Sequence, residues 1–580
     1  MNKCVYRSLP DMKKARNRVD KPLLLLDKKE VPLAVKNYAE GRRFFIRTYG
    51  CQANIRDEEI MAGYLSLAGF KRTDNESEAS VAIINTCAVR ENAEDKVYGE
   101  IGLFKANAEK DHSFILAVSG CMMQEEGVAE KLTKTYPYVS LIFGTHNVSH
   151  LLDLLNDVIL SKKSLVDVES FPGDVVEGMP SVRLDDYKAF VNISYGCDKF
   201  CTYCIVPYTR GRERSRSEEA IIKECADLAE HGYKEITLLG QNVNSYGLDL
   251  KDGTNFASLL DRVASMGIPR VRFLTSYPSQ FTDEMIDVMA KHDNILKWLH
   301  LPVQSGSDSC LKRMGRRYTR EEYLELVERI RAKMPDIALT TDIIVGFPNE
   351  TEKEFADTLS LCEKVGYASA FTFIYSPRKG TPAAAIKDDV SDETKHERFM
   401  RLTKVIENST SAHSLTMVGK TFTVLVDGPS KKDDDVLSGY AENGKLINFK
   451  GPAYLKGALV PVLVKESHTF SLIGELVGDP LLLKAQDVAY LLQHDPVVSE
   501  YLKLDQTVRE SPDIKKLGES LVDAKKNLAL SMGDHEKYVA AKAQYETVLS
   551  SIKNHPLLSN RETLKGAVEE TLLAVRDELK

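Results

Sequence analysis

The sequence lacks any apolar run long enough to cross a membrane, which takes about 18 residues or more. Residues 1–18 are basic, but no apolar core of signal-peptide length follows them, and the leucines at 23–26 are too few to form one. We therefore expect neither membrane insertion nor export. Ten cysteines without an export signal favour the cytoplasm, where thiols stay reduced and can bind iron instead of forming disulfides.

The sequence also lacks a charge excess that would attract nucleic acid in bulk. Its formal net charge is -8 over 580 residues, so any such binding must come from local basic patches. With 43 % hydrophobic and 28 % charged residues, the composition is that of an ordinary globular protein. The length predicts three or four domains, each with its own core.

Three cysteines lie in one short loop, Cys197, Cys201 and Cys204, with the spacing C-x3-C-x2-C. Three thiolates leave one iron of a four-iron cluster without a protein ligand, and that iron can bind a substrate or cosubstrate. A structural zinc site is the alternative, but it usually takes four ligands, and no fourth Cys or His lies nearby in the sequence. The spacing favours an open cluster and resembles the radical S-adenosylmethionine (SAM) superfamily, whose open iron chelates SAM.

Three more cysteines follow predicted strands in residues 43–160. Strands at 44–48, 81–84 and 114–118 alternate with helices at 55–68, 93–106 and 125–132, which predicts an open parallel sheet. Cys51, Cys87 and Cys121 stand at the carboxyl ends of the three strands, which share one edge of such a sheet. Three buried structural cysteines are the alternative. The repeated position favours a second cluster with three cysteine ligands.

The other four cysteines carry no predicted role in catalysis. Cys225, Cys310 and Cys362 fall in helical patterns at apolar positions, and Cys4 lies in residues 1–42, which we expect to be a largely flexible extension. We assign them to packing or to no role.

Residues 183–412 contain a second alternation of strands and helices. Predicted strands at 189–193, 235–239, 271–274, 298–301, 341–345 and 370–374 suggest a partial (β/α)6 barrel. Active sites of barrels form at the carboxyl ends of the strands, where Gln241 and Gln304 lie, and Asp342 lies within the predicted strand at 341–345. These three residues are candidates for cofactor binding, although each could instead serve a turn or a helix cap.

A basic run directly follows the three-cysteine loop, and we expect it to border the mouth of the active-site cavity. It contains Arg210, Arg212, Arg214 and Arg216, and a second basic run covers residues 312–317. The planar guanidinium group suits phosphate, so a polyanionic substrate such as RNA is expected. A solvated charged rim is the alternative.

The remaining chain predicts two smaller modules. Short β segments separated by Gly, Asp, Asn and Pro over residues 413–478 predict a small antiparallel β-barrel, a fold that often binds RNA. Residues 481–580 show helical periodicity with charged outer faces and predict an all-α module. This module loosely resembles the all-helical YlbF/YmcA regulators, which implies protein-protein contact or oligomerisation.

Residues 43–478 closely resemble the methylthiotransferases, and specifically the MiaB branch that modifies tRNA. The resemblance rests on the sequence around Cys51 (Tyr-Gly-Cys-Gln), around Cys87 (Asn-Thr-Cys-Ala-Val-Arg), around Cys121 (Gly-Cys-Met), on the Cys197 loop with Ile-Val-Pro-Tyr, and on a terminal β domain like a TRAM module. It implies that Cys51, Cys87 and Cys121 hold an auxiliary 4Fe-4S cluster. It also implies that Cys197, Cys201 and Cys204 hold the 4Fe-4S cluster that binds SAM.

The reaction implied by the resemblance converts N6-isopentenyladenosine at position 37 of tRNA to its 2-methylthio form, using two SAM molecules. No catalytic residue is predicted beyond the cluster ligands. Expected partners are tRNA, an electron donor such as a flavodoxin-type reductant, and a protein bound through residues 481–580. Two alternatives remain open: a methylthiotransferase acting on threonylcarbamoyladenosine or on a ribosomal protein, and a regulatory protein acting through its helical tail.

Overall fold

The computed structural model describes residues 4–17, 24–28, 30–88, 91–170 and 175–578. The chain divides into two compact units, Met1–Ala226 with Tyr233–Pro480, and Asp227–Gly232 with Leu481–Lys580. Within the described ranges, every helix is too short or too polar to traverse a lipid bilayer. The last two residues of the Asn-Thr-Cys-Ala-Val-Arg motif around Cys87, at positions 89 and 90, lie outside the described residues.

The first layer of the larger unit is a seven-stranded sheet in which every pair is parallel, in the order β1-β8-β7-β6-β5-β3-β4. The two strands at Val81–Thr86 and Ile115–Gly120 are buried along their whole length, as expected for a parallel sheet covered on both faces. The open parallel sheet predicted from the sequence is confirmed. The helices and strands of this part of the chain are β1 Val5–Ser8, α1 Met12–Ala15, β2 Leu24–Leu26, α2 Leu33–Ala39, β3 Arg43–Thr48, α3 Gln52–Leu67, β4 Lys71–Arg72, β5 Val81–Thr86, α4 Glu91–Leu103, α5 Lys105–Lys110, β6 Ile115–Gly120, α6 Val128–Thr135, β7 Leu141–Phe143, α7 Leu151–Ser161, β8 Leu165–Asp167 and β9 Val175–Glu177. Strands β2 and β9 pair with each other in a separate two-stranded sheet.

The prediction of a flexible extension over residues 1–42 is wrong for the described part of that segment. Strand β1 pairs with β8, and Arg7 donates hydrogen bonds to Asp157 at 2.6 Å and to Asp167 at 3.3 Å. Helix α2 buries Val35 and Ala39 in the core of the sheet domain. The boundaries predicted for the first sheet domain, 43–160, are therefore too narrow. Strand β1 is too short to show periodicity in the sequence, and partners 150 to 160 residues away stabilise it.

The second layer is a partial barrel of six parallel strands in two halves, β10-β13-β14 and β15-β16-β17, joined by one bridge between Val271 and Ile295. This agrees with the predicted (β/α)6 arrangement. Its elements are β10 Lys188–Asn192, β11 Ser194–Tyr195, α8 Val206–Thr209, β12 Arg214–Ser215, α9 Glu218–Glu230, β13 Glu235–Leu239, α10 Phe256–Ala264, β14 Arg270–Phe273, α11 Asp283–Lys291, β15 Trp298–His300, α12 Asp308–Arg313, α13 Arg320–Lys333, β16 Ala338–Val345, α14 Glu352–Val365, β17 Ser369–Ile374 and α15 Asp392–Leu415.

A closed five-stranded barrel follows, in the order β18-β19-β20-β22-β21. Its strands are β18 Thr421–Ser430, β19 Asp433–Ala441, β20 Leu446–Lys450, β21 Leu459–Ser467 and β22 Ser471–Leu476. The predicted small barrel is confirmed, but the sequence pattern showed only four strands. The fifth, β22, pairs parallel with β20 to close the barrel, so the sheet is not purely antiparallel.

The smaller unit is all-helical, as predicted. Its helices are α16 Pro480–His494, α17 Pro496–Glu510, α18 Pro512–Leu530, α19 His535–Lys553 and α20 Pro556–Glu578. Asp495 and Ser511 cap α17 and α18, each followed by proline at the first helical position, where no backbone donor is needed. Helix α17 packs with α20, and α18 packs with α19.

Candidate active site

Three cysteines meet at the carboxyl edge of the first sheet. Cys51 precedes α3, Cys87 follows β5, and Cys121 begins a short 3-10 turn after β6. The Sγ atoms of Cys51 and Cys121 lie 3.9 and 3.8 Å from Oδ1 of Asn54. The three cysteines are 36 and 34 positions apart in the sequence. The carboxyl ends of parallel strands share one edge of the sheet, which brings the cysteines together there.

Cys87 joins this group through a close approach of its side chain to the backbone at Gly50. A Cβ atom at Gly50 would lie 3.1 Å from Sγ of Cys87, and Gly50 has a φ of +120°. Only glycine accommodates both the positive φ and the neighbouring thiol without strain. We call Cys51, Cys87 and Cys121 the sheet-edge trio.

An arginine from the partial barrel reaches the sheet-edge trio. Arg210 donates to Oδ1 of Asn54 at 2.8 Å and to Oδ2 of Asp57 at 2.6 Å. Burial raises the pKa of Cys121 to about 12, an effect that the positive charge of Arg210 opposes and that Cys51 and Cys87 reinforce. The trio is therefore a dense group of sulfur donors with one cation beside it.

The second cysteine group lies in the loop between β11 and α8. Cys197 and Cys201 are buried, and Cys204 is partly buried. Burial, with the charge of Cys201, raises the pKa of Cys204 to about 12, and burial also raises the pKa of Cys197. Beside them, Arg316 donates a hydrogen bond to Sγ of Cys201 at 3.6 Å. We call Cys197, Cys201 and Cys204 the loop trio.

One cavity of about 770 Å³ touches both groups. It is lined by Cys51 of the sheet-edge trio and by all three cysteines of the loop trio. Gln241, Gln304 and Asp342, the candidates for cofactor binding, also lie on its wall. Nε2 of His300 lies 3.4 Å from a carboxylate oxygen of Asp342, and Gln304 has a φ of +70°. The structure places the three predicted residues where a bound cofactor could touch them.

Each cysteine trio offers three thiol donors, the number that a four-iron cluster with one open iron takes. Within the described ranges, no three His, Cys, Asp or Glu side chains lie close enough to share one ion. Each cysteine of a four-iron cluster binds a different iron, so its thiols stand farther apart than the ligands of a zinc ion. Metal binding also deprotonates a thiol outright, which offsets the unfavourable ionisation of these buried sulfurs.

Three family models match the chain: the radical SAM superfamily over residues 191–362, the uncharacterized protein family UPF0004 over residues 43–144, and the TRAM domain over residues 415–477. The chain is 51 % identical over 473 residues to the tRNA-2-methylthio-N(6)-dimethylallyladenosine synthase of Geobacillus kaustophilus, a match that covers 81 % of this chain and 89 % of that protein. The chain belongs to the MiaB-type tRNA methylthiotransferases.

A second relative of this methylthiotransferase is the synthase of the same name from Bacillus subtilis. It is 50 % identical over 476 residues, which cover 82 % of this chain and 94 % of that protein. Among solved structures, the radical S-adenosylmethionine methyltransferase TsrM from Kitasatospora setae matches with a TM-score of 0.43 and 14 % identity, over 59 % of this chain and 74 % of that one.

The arginine run that was predicted to bind tRNA is largely buried in this methylthiotransferase, and three of its arginines pair with carboxylates. Arg210, Arg214 and Arg216 are each only 7 % exposed, and Arg216 pairs with Glu177 at 2.8 Å. Arg212 is held by both carboxylate oxygens of Asp198. Three of these arginines are therefore buried, and carboxylates far away in sequence neutralise Arg210 and Arg216. Binding of tRNA phosphate by this run stays a prediction.

Two residues of the methylthiotransferase site were missed at the level of sequence. Asn54 lies three positions after Cys51, inside a helix, and nothing in the local pattern sets it apart from an ordinary helical residue. Arg316 belongs to the second basic run, whose charge suggested phosphate binding. The hydrogen bond from its guanidinium group to Cys201 could be found only from the fold. The remaining helical cysteines, Cys225, Cys310 and Cys362, are buried in the structure.

Proposed function

We propose that the chain transfers a methylthio group to C2 of N6-isopentenyladenosine at position 37 of tRNA, giving 2-methylthio-N6-isopentenyladenosine. The observation that carries this proposal is the meeting of two cysteine trios at one cavity. Relatives at about half identity over nearly their whole length are named for this reaction. The C2-H bond of adenine is neither acidic nor electrophilic enough for ordinary acid-base replacement, so a radical route is required.

The cofactors are two 4Fe-4S clusters and SAM. When bound, these cofactors supply three things. They supply an electron that cleaves one SAM to a 5′-deoxyadenosyl radical, a site that holds sulfur, and a methyl group from a second SAM. The loop trio holds the cluster that binds SAM, and the sheet-edge trio holds the auxiliary cluster. Gln241, Gln304 and Asp342 line the cavity, where their polar groups would bind and orient SAM.

The tRNA is bound in part by the TRAM domain, whose closed barrel follows the partial barrel along the chain. Since the arginines at 210, 214 and 216 are buried, phosphate contacts near the cavity fall to exposed basic residues of the second run, Lys312 and Arg317. The electron comes from a flavodoxin-type reductant. The cytoplasm suits this chemistry because thiols and clusters stay reduced there.

The direct test of the substrate is mass spectrometry of tRNA nucleosides from cells that lack this chain. Loss of 2-methylthio-N6-isopentenyladenosine, with N6-isopentenyladenosine accumulating in its place, is the expected result. Complementation with the wild-type chain restores the product, and complementation with Cys201→Ala does not. An unchanged level of the 2-methylthio nucleoside in the deleted cells would contradict the assignment. Loss of a threonylcarbamoyl derivative instead would identify the alternative substrate.

The helical unit binds a protein partner, which is the role implied by its resemblance to the YlbF/YmcA regulators. Among the described residues of its helices α16–α20, Val508 and Ala524 are the buried apolar side chains. Leu530 and Met532 are each 76 % exposed, and Leu481 is 71 % exposed. Leu530 and Met532 stand two positions apart at the end of α18, and they are the exposed apolar side chains that we assign to partner contact.

Truncation after Gly478 tests this role. The truncated enzyme is expected to keep methylthiolation of purified tRNA and to lose a protein that the full chain retains in a pull-down. Leu530→Lys in the full chain is the matched point variant, and we expect it to weaken the same interaction. Recovery of the same proteins by the truncated chain would refute the proposed role.

A further inference from the structure

Arg316 lies between α12 and α13, and four groups hold its guanidinium at the loop trio. It donates from Nη1 to Sγ of Cys201 at 3.6 Å, from Nη2 to the carbonyl oxygen of Pro302 at 2.7 Å, and from Nε to the hydroxyl of Tyr318 at 2.9 Å. The ring of Tyr277 lies 4.4 Å from its central carbon. The side chain therefore has one fixed orientation, with one N-H aimed at a cysteine sulfur.

Among the described residues, Arg316 has no carboxylate partner, unlike two other arginines near the loop trio. Arg313, three residues earlier, pairs with Glu354 at 2.8 Å, and Arg212 in the cysteine loop pairs with Asp198 at 2.6 Å. Across the part of the chain that the structure describes, no Asp or Glu oxygen lies within 4.0 Å of the nitrogens of Arg316. A cation on a cavity wall needs a compensating anion, because its desolvation is costly.

The compensating charge is available from the cysteines themselves once they bind iron. A coordinating thiol loses its proton, so the loop trio brings three negative sulfurs, and the sulfur of Cys201 accepts from Arg316. Hydrogen bonds to the sulfurs and nearby charge are among the factors that set the reduction potential of an iron-sulfur cluster. A fixed cation favours the form with one more electron.

We propose that Arg316 is a positioning residue of the SAM-binding cluster, which it makes easier to reduce through its hydrogen bond to Cys201 and a positive charge that no carboxylate neutralises. This inference rests on the proposed assignment of the loop trio to a 4Fe-4S cluster. The role of Arg316 differs from phosphate binding, since its guanidinium group faces Cys201, Pro302 and Tyr318.

The experiment measures the midpoint potential of this cluster by redox titration followed by electron paramagnetic resonance. The full-length chain carries Cys51→Ala, Cys87→Ala and Cys121→Ala, so that one cluster gives the signal. Arg316→Gln is expected to retain iron and to shift the midpoint to a more negative potential. Arg316→Lys keeps the charge but loses the planar fork, so we expect a smaller shift in the same direction. Arg317→Gln removes the same charge from an exposed neighbour and should leave the midpoint unchanged.

An unchanged midpoint in Arg316→Gln at full iron content would overturn the proposal and leave Arg316 as a purely structural residue. If Arg316→Gln fails to retain iron, Arg316→Lys decides the matter, because an unchanged midpoint there refutes the role of the hydrogen bond to sulfur. An equal shift in Arg317→Gln would refute the specific contact. The absence of any cluster signal in the parent chain would instead refute the proposed function itself.

Discussion

At the scale of single residues, Glu224 is the point where three arginines meet inside the catalytic unit. Arg56 and Arg183 reach its Oε1 at 2.8 and 2.7 Å, and Arg216 reaches its Oε2 at 2.7 Å. Arg56 belongs to α3 of the first sheet domain and Glu224 to α9 of the partial barrel. These pairs tie together the two domains that carry the cysteine trios.

The charge of Glu224 predicts a dependence of stability on pH. Although burial alone would raise the pKa of Glu224, the three arginines lower it from 4.5 to about 2. A depressed carboxyl pKa contributes stability that is present above the unfolded value and is lost as the pH falls toward the folded one. Glu224→Gln should therefore lower the free energy of unfolding by about 3 kcal/mol near pH 7, and the difference from wild type should vanish between about pH 4.5 and pH 2.

Chemical denaturation of the full chain over this pH range checks the prediction. Glu219→Gln, an exposed change on the same helix, is the control and should be neutral. A difference between Glu224→Gln and wild type that stays constant down to about pH 2 would show that charge is not the cause.

Among single residues, the positions of the six cysteines could be predicted from the sequence, whereas the surroundings of the arginines could not. The six cysteines could be predicted, because one trio has its spacing fixed within a loop and the other follows successive parallel strands. The burial of the arginine run could not be predicted, because its partners Asp57, Glu177 and Glu224 come from other elements and are invisible in a local pattern. Charge in a sequence does not reveal whether it faces solvent or a carboxylate.

At the scale of elements, the loop trio depends on a short hairpin, β11 with β12, which closes over Gly196. Gly196 has a φ of +73°, and a Cβ atom there would lie 2.2 Å from the carbonyl oxygen of Arg212. The amide of Cys197 donates to the carbonyl of Gly211 at 3.1 Å, so the two sides of the loop are in direct contact. There is no room for a side chain at this position.

Gly196→Ala should therefore open the loop and abolish binding of the cluster that uses the loop trio. We expect the purified protein to lose about half of its iron, since two clusters of equal size share it, and to lose 5′-deoxyadenosine formation. Gly267→Ala is the matched control, with a φ of +80° but no heavy atom within 4 Å of the added Cβ. Full iron content in Gly196→Ala would contradict this view of the loop.

Elements were predicted well where they are long or buried and poorly where partners are remote. The buried strands β5 and β6 have continuous apolar runs, whereas β1 has four residues and depends on β8, more than 150 residues away. Strand β22 was missed for a similar reason, because it is defined by closing the small barrel against β20 and β21. Local periodicity carries no information about such pairings.

At the scale of the whole molecule, the larger unit brings two cysteine trios to one cavity. The first sheet supplies Cys51 and the partial barrel supplies Cys197, Cys201 and Cys204, and all four line the same space. Sequence reasoning predicted one trio at the edge of a sheet and the other within a single loop. The shared cavity needed the fold, because it depends on how buried arginines such as Arg210 join the two domains.

The central claim is that the two trios perform separable halves of one reaction. The most direct measurement assays 5′-deoxyadenosine and the 2-methylthio nucleoside together, by mass spectrometry, in reactions of the purified Cys87→Ala enzyme with SAM, reductant and tRNA. Cys201→Ala is the companion that should lose both products, and Cys225→Ala, a packing cysteine, should keep both. The account predicts that Cys87→Ala still forms 5′-deoxyadenosine but no 2-methylthio product. A normal yield of that product from Cys87→Ala would contradict it.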